Sequence, residues 1–519
     1  MTPSTIILLA IAAPLIGSIL VLLTGKIPNL RESVSTLTTL VTFGIVCKLL
    51  PEVMSGGEPG ITLIEDVLPG VDIAFHVEPL GMLYALVASG LWIVTSLYAI
   101  GYMRAHDEKN QTRFFACFAL AIFASLGIAF ARNLFTLFLF YEVLTLSTYP
   151  LVAHYGEEVK KNARVYLGIL IFTSVAFLLA AVCWTYVLTG TLNFERGGIL
   201  AGKVEGWEIV PLLALFAFGT GKAALMPFHR WLPNAMVAPT PVSALLHAVA
   251  VVKAGVFTVM KVVVYVFGID LLTSTGSSIW LMYVASATLL ISSCIAITQD
   301  NLKARLAYST ISQLAYIVLG AALATSLSIM GGSLHIAMHA VGKITLFFCA
   351  GAIYVAHHKK YVSELNGIGK KMPFTMIAFL LGSLSIIGLP PFGGSWSKWY
   401  LVVGAADSPG HILMNQWHVQ HIMFSAVFML SSLLSIAYLM PVVIRAFFYS
   451  DEEVAASAQQ DAPHHDGDHD HHEEGDGISE APLLCVVPLC ITALGSLVIF
   501  FYTQELYEML EPITEAVTR

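Results

Sequence analysis

Five lysines stand where lysine is costly. Lys222, Lys253, Lys261, Lys343 and Lys398 each fall inside an apolar stretch long enough to cross a bilayer. A charge at the centre of a membrane helix costs about 2.5–3.5 kcal/mol, so five left bare would cost on the order of 12–18 kcal/mol. The whole stability of a domain is about 5–15 kcal/mol. These ammonium groups must therefore face one another, carboxylates or internal water, and intramembrane groups of this kind mark ion and proton pathways. Glu142, in FLFYEVLTLSTYP, is the one acidic residue well inside a span, and Thr145 and Tyr149 share its helix face. It is either a structural partner for one lysine or a proton carrier. Burial and a nearby ammonium act on a carboxyl in opposite directions, so a small lysine movement would load or unload its proton.

The settings of the basic groups differ. Lys222 closes FGTGKAALM just before Pro227. The string GTGK suggests a phosphate loop, but Phe216 occupies the earlier glycine position and Ala223 replaces Ser or Thr. Gly219 and Gly221 instead loosen a membrane helix beside the lysine, as is tolerated next to a water-filled cavity. In APTPVSALLHAVAVVKAGVFTVMK, His247, Lys253 and Lys261 fall within one arc of about 120°, along roughly 21 Å of helix. In HIAMHAVGK, His335, His339 and Lys343 repeat every fourth residue and form a stripe about 12 Å long. The paired histidines have zinc-like spacing, but no carboxylate follows and Lys343 opposes a cation, so no metal site is expected. In IIGLPPFGGSWSKWY, Pro390, Pro391, Gly393 and Gly394 break the helix just ahead of Lys398, as at transporter sites.

Composition explains why these groups matter. The 519 residues are 57% hydrophobic and 12% charged, with a mean hydropathy of +0.78, against about 25% charge in soluble domains. That excludes a nucleic-acid binder, a disordered scaffold and an ordinary soluble enzyme. Fourteen apolar segments are long enough to span: 5–24, 34–52, 79–101, 114–131, 134–153, 165–189, 208–226, 241–267, 278–298, 304–326, 330–356, 373–403, 419–447 and 483–502. The first lacks a basic leader and exceeds a signal-peptide core, so it reads as a retained helix. With the N-terminus outside, sixteen Lys or Arg fall in inside loops and four outside. That bias places both termini on the periplasmic or extracellular side. Lys48, near a helix end, snorkels.

Two loops stand apart. Residues 55–78 alternate around a Pro-Gly turn and read as an external β-hairpin cap. Residues 451–482 are acidic and His-rich and read as a disordered cytoplasmic loop without fixed metal-ligand spacing. The seven cysteines lie in apolar segments without a C-x-x-C pair and read as small hydrophobes. Lys222 and Lys398 lie five spans apart, each beside a glycine-containing break. An odd offset reverses direction through the membrane, so spans 4–8 and 9–13 form an inverted repeat.

The string FGTGKAALMPFHRWLPNAMVAPTPVSALLHAVAVVKAGV resembles the long signature of the antiporter-like subunits of respiratory complex I and of Mrp-type multisubunit cation/proton antiporters. So do DNLKARLAYSTISQLAY, HIAMHAVGKITLFF and GLPPFGGSWSKW, and the likeness covers about residues 75–450. The resemblance implies an all-α polytopic membrane protein of about 14 helices, with two inverted five-helix repeats and discontinuous helices 7 and 12. It also implies a central hydrated chain of charge that moves protons. Glu142 resembles the family's helix-5 glutamate, Lys222 its helix-7 lysine, His247 and Lys253 its helix-8 relay, and Lys343 and Lys398 its helix-11 and helix-12 lysines. Length and the Lys253 position are similar to the D-type member of Mrp complexes, whereas His247 is more like the complex I homologues.

The implied organisation is helices 1–3 with the hairpin loop (1–113), a first repeat (114–267), a second inverted repeat (268–449), the His-rich loop (450–482) and helix 14 with its tail (483–519). Three functions fit: a monovalent cation (Na+)/proton antiporter subunit of a bacterial-type inner membrane, a proton-pumping subunit of a complex I-like oxidoreductase or membrane-bound hydrogenase, or a proton-channel partner in inorganic-carbon uptake. Each implies other membrane subunits as partners. No quinone, flavin or iron–sulfur ligand set stands in this chain, so no cofactor is expected, and redox chemistry would belong to the partners.

Overall fold

Hydropathy this high resolves into helices. A computed structural model describes residues 2–407, 417–449 and 477–515, and most of the His-rich acidic loop lies outside them. Helices α1 (Pro3–Leu23) and α2 (Pro28–Met54) are followed by strands β1 (Gly60–Leu68) and β2 (Val71–His76). Then come α3 (Pro79–Ala105), α4 (Gln111–Ala129), α5 (Leu134–Val152), α6 (Gly156–Thr189), α7 (Gly206–Gly219), α8 (Thr240–Phe267) and α9 (Ile279–Thr298). They are followed by α10 (Leu302–Leu323), α11 (Ser326–His357), α12 (Pro373–Ile387), α13 (Gly394–Ala406), α14 (Trp417–Phe448), α15 (Leu483–Phe501) and α16 (Thr503–Glu515). Among the described residues twelve of these are long and apolar enough to cross a membrane, and the chain is an all-α polytopic membrane protein. At 14 and 15 residues, α7 and α12 rise only about 21–23 Å against about 30 Å of hydrocarbon.

Local chemistry fixes the helix starts. Proline occupies the first turn of α1, α2, α3, α8 and α12, where a missing N–H is harmless. Asn133 Oδ1 accepts from Thr136 N at 2.8 Å to cap α5, and Asn301 Oδ1 accepts from Ala304 N at 3.0 Å to cap α10. Each asparagine also bridges the chain ahead of a short helix: Asn133 pairs with Asn193 before α7, and Asn301 with Tyr361 before α12.

The helices differ in what they face. α8 is buried along its whole length, and α10 and α11 nearly so. The outer helices show Leu23, Leu37, Val187, Leu433, Leu483 and Phe501 on their surfaces, which suits contact with lipid. Two of the charged spans, α8 and α11, are thus among the innermost. The antiparallel β1–β2 hairpin lies over one end of the bundle, with His76 N donating to Phe130 O at 2.7 Å and Asn133 Nδ2 to Asp72 O at 2.9 Å. Ser4 Oγ donates to Gly60 O at 3.0 Å, so the N-terminus shares the hairpin face.

Candidate functional site

Lys222 follows the end of α7 on a single 3-10 turn, Gly221–Ala223. The glycines here serve close approach. A Cβ on Gly219 would run into the Leu178 backbone, and one on Gly221 into Thr173, both on α6, where a π turn spans Ser174–Leu178. Trp231 Nε1 donates to Gly221 O at 2.8 Å and holds the broken segment. The fully buried ammonium donates to Tyr141 O at 2.8 Å and Thr145 Oγ1 at 2.6 Å, and lies 3.2 Å from the Tyr141 ring centre. Glu142, one residue on, makes no ion pair among the described residues, and its Oε1 is buried without a hydrogen-bond partner. The sequence suggests a carboxylate against the lysine; the direct partners are neutral oxygens and a ring.

The basic face of α8 is divided. A π turn at Leu245–Val249 carries His247, ahead of the regular helix Val251–Val262 that carries Lys253 and Lys261. The His247 ring packs 5.1 Å from Phe347 of α11, and neither ring nitrogen has a protein partner. Lys253 Nζ donates to His339 Nδ1 of α11 at 2.6 Å. Lys261 turns to the hairpin face, where it pairs with Glu78 Oε1 at 2.9 Å and donates to Ala131 O at 2.9 Å.

The stripe on α11 meets Lys253 at His339. His339 and His335 stack with ring centres 5.8 Å apart, and His335 Nδ1 meets Ser397 Oγ at 2.8 Å. Lys343 Nζ donates to Ser309 Oγ at 2.7 Å, and Ser309 donates to Tyr438 Oη at 3.0 Å. Lys398 lies one turn into α13. Its ammonium donates to Ile386 O at 2.8 Å, Ile387 O at 3.1 Å and Ser432 Oγ at 3.0 Å, and lies 4.7 Å from the Tyr316 ring centre. The first two are carbonyls freed where α12 stops, so the break itself supplies the ligands. No group of three or more His, Cys, Asp or Glu among the described residues could hold a metal.

Most of the predicted residues are therefore buried, and Lys253, His339 and His335 are in contact with one another. Lys222 is joined to α5, Lys253 to His339, His339 to His335, Lys343 to Ser309 and Lys398 to α10 and α14. Lys261 stands apart with Glu78. Unpartnered buried atoms at Glu142, His247, His335, His339, Ser333, Ser383 and Ser385 recur among these residues and the helices around them, and such groups are ordinarily hydrogen-bonded to water. Sequence reasoning passes over Tyr141, Ser309, Tyr316, Ser397 and Ser432, because neutral polar residues carry no insertion penalty that singles them out. Glu78 is passed over as a flanking residue, although it directly precedes the Pro79 that opens a span.

The family model described as NADH:quinone oxidoreductase/Mrp antiporter, transmembrane, matches residues 131–435. NADH-quinone oxidoreductase subunit N of Desulforudis audaxviator is 33% identical over 466 residues, covering 88% of this chain and 87% of that one. NAD(P)H-quinone oxidoreductase chain 5 of Synechocystis is 32% identical over 346 residues, 63% of this chain and about half (49%) of the relative. Among solved structures, a chain of the archaeal membrane-bound sulfane sulfur reductase superposes with a TM-score of 0.82 at 23% identity, covering 99% and 98% of the two chains. A chain of the Mrp complex from Dietzia sp. DQ12-45-1b gives 0.78 at 22%, covering 98% and 97%. These last two show likeness of fold.

Proposed function

The chain belongs to the NADH:quinone oxidoreductase/Mrp antiporter family of membrane proteins, and on that premise we propose that it carries protons within a multisubunit complex that exchanges a monovalent cation, Na+, for H+. Glu142, Lys222, His247, Lys253, His335, His339, Lys343 and Lys398 form the path, and Lys261 marks its end at the hairpin face. The observation that carries this reading is how the lysines are held. Lys222, Lys343 and Lys398 rest on carbonyls, hydroxyls and rings, and Lys253 on an imidazole. A neutral cradle keeps an ammonium in place without locking it as a fixed ion pair, so the group is free to give up its proton, and lysine loses its proton readily when buried.

Two five-helix units related by inversion organise the path. Asn133 and Asn301 are equivalent starting points: each caps a helix and bridges the segment leading to a short, broken one. The hairpin face is outside, so both termini face outward and the basic loops inward. The membrane is of the bacterial inner type, and the neighbours are other membrane subunits of the complex.

The test is transport in everted vesicles carrying the complete complex. Glu142→Ala and Lys222→Ala are expected to abolish proton-coupled dequenching of acridine orange on adding Na+, with assembly intact; wild-type responses in both would end the proposal. A second reading, a proton-pumping subunit of a quinone-linked oxidoreductase, is favoured by the relative matched over most of both chains. It predicts no response to Na+, K+ or Li+ and proton pumping driven by a reductant instead.

A further inference from the structure

A second polar site lies at the hairpin face. A cavity of about 610 Å³ opens there between the hairpin, the start of α5 and the end of α8. Glu78 and Lys261 line it, and they are 4% and 1% exposed. Burying such a pair costs desolvation of both charges, and a wholly structural pair would gain from being sealed. This one borders an open polar cavity. Glu78 Oε2 is buried without a hydrogen-bond partner of good geometry, and Lys261 Nζ is 2.9 Å from Oε1.

The groups facing Glu78 come from every neighbouring element. Lys261 and Tyr265 belong to α8 and His76 to β2, while Arg132, in the turn before α5, lines the same cavity and acts on His76. Beyond them Glu58 is 3.4 Å from His76 Nε2 and pairs with Arg196, and Glu195 completes the charged wall. Glu58, His76 and the buried Glu78 thus line one cavity, with Glu58 and His76 in contact. Burial holds the His76 pKa below its ordinary 6.5, against the pull of Glu78 and Glu58, so near neutral pH the ring is available to accept a proton.

We propose that this cavity is the outer proton mouth of the protein, with Glu78 as the group that exchanges protons between the cavity water and the interior, and Lys261 as its positioning cation. The proposal rests on the reading of the chain as a proton carrier. The step balances: the carboxylate takes a proton from the interior, and the neutral acid then releases it to His76 or to cavity water, or the reverse during uptake. Two measurements on the intact complex test it. In vesicles, Glu78→Gln is expected to lose proton-coupled transport by about tenfold or more, the smaller end of what a positioned acid–base group contributes. In sealed wild-type vesicles, a membrane-impermeant carbodiimide should modify Glu78 from the hairpin side only, faster as that side is acidified, and inhibit in parallel. Wild-type transport in Glu78→Gln, or a Glu78 unmodified from that side or modified equally from both, overturns the mouth. Because the labelling uses the native chain, it decides even if Glu78→Gln fails to assemble. If Glu142→Ala is inactive while Glu78→Gln is normal, only the mouth fails. If Glu142→Ala is also normal, the proton-carrier reading fails.

Discussion

Lys222 and Lys398 are held in matching ways. Each follows a broken helix, and each ammonium meets a backbone carbonyl, a hydroxyl and a tyrosine ring. The difference is acid. Glu142 lies nine residues after the capping Asn133, and the same step from Asn301 reaches Thr310. The later half has no carboxylate in that place. Lys398 instead borders an apolar groove of about 800 Å³ on the outside of the bundle, walled by Trp396, Trp399, Met429, Leu433 and Phe500. Lys222 is biased by a charge on its own chain. Lys398 is buried, with its ammonium turned to the carbonyls that end α12 and to Ser432. Two similar cradles thus differ in having a carboxylate on the neighbouring helix in one case and an apolar groove beside it in the other.

Both the likeness and the difference can be probed by substitution. The largest effect is expected from Lys398→Ala, which should abolish proton-coupled transport as fully as Lys222→Ala; retained transport in vesicles would mean that only the first half conducts. Gly221→Ala comes next. Its methyl group would meet Thr173, overpacking of about 1–3 kcal/mol, and should lower the complex's thermal midpoint in detergent and displace Lys222. Thr145→Val removes one hydroxyl from the Lys222 cradle. A hydrogen bond to a charged group is worth about 1.5–3 kcal/mol, so transport should fall by roughly tenfold or somewhat more. Ser432→Ala at Lys398 should do less, because two carbonyls remain; an equal loss would show that the two cradles are not built alike.

The smallest effect concerns pH. Burial keeps the His76 pKa below 6.5, so the fold prefers the neutral ring. Its contribution is present in full above 6.5 and fades as pH falls through the lower folded value. His76→Asn should flatten the acid side of the stability profile without altering its neutral plateau.

Charge makes much of this legible in the sequence. The lysines, Glu142 and the histidines can be named because the bilayer penalises them, and the glycine–proline breaks can be placed because helices need backbone hydrogen bonds. The partners are less legible. Tyr141, Ser309, Tyr316 and Ser432 are ordinary residues for a membrane helix, and only packing brings them to an ammonium. The π turn at Leu245–Val249, which carries His247, is a local feature that regular spacing does not foresee. Glu78 escapes because it caps a helix in sequence and is buried only once the hairpin folds over it.

Everything turns on whether Lys222 must lose its proton, and Lys222→Arg decides that. Arginine keeps the charge and the donors but is not deprotonated in proteins. Assembled complex carrying Lys222→Arg should be as inactive in proton-coupled transport as Lys222→Ala. Wild-type transport in Lys222→Arg would show that the site needs only a fixed positive charge, and would contradict the proposed mechanism.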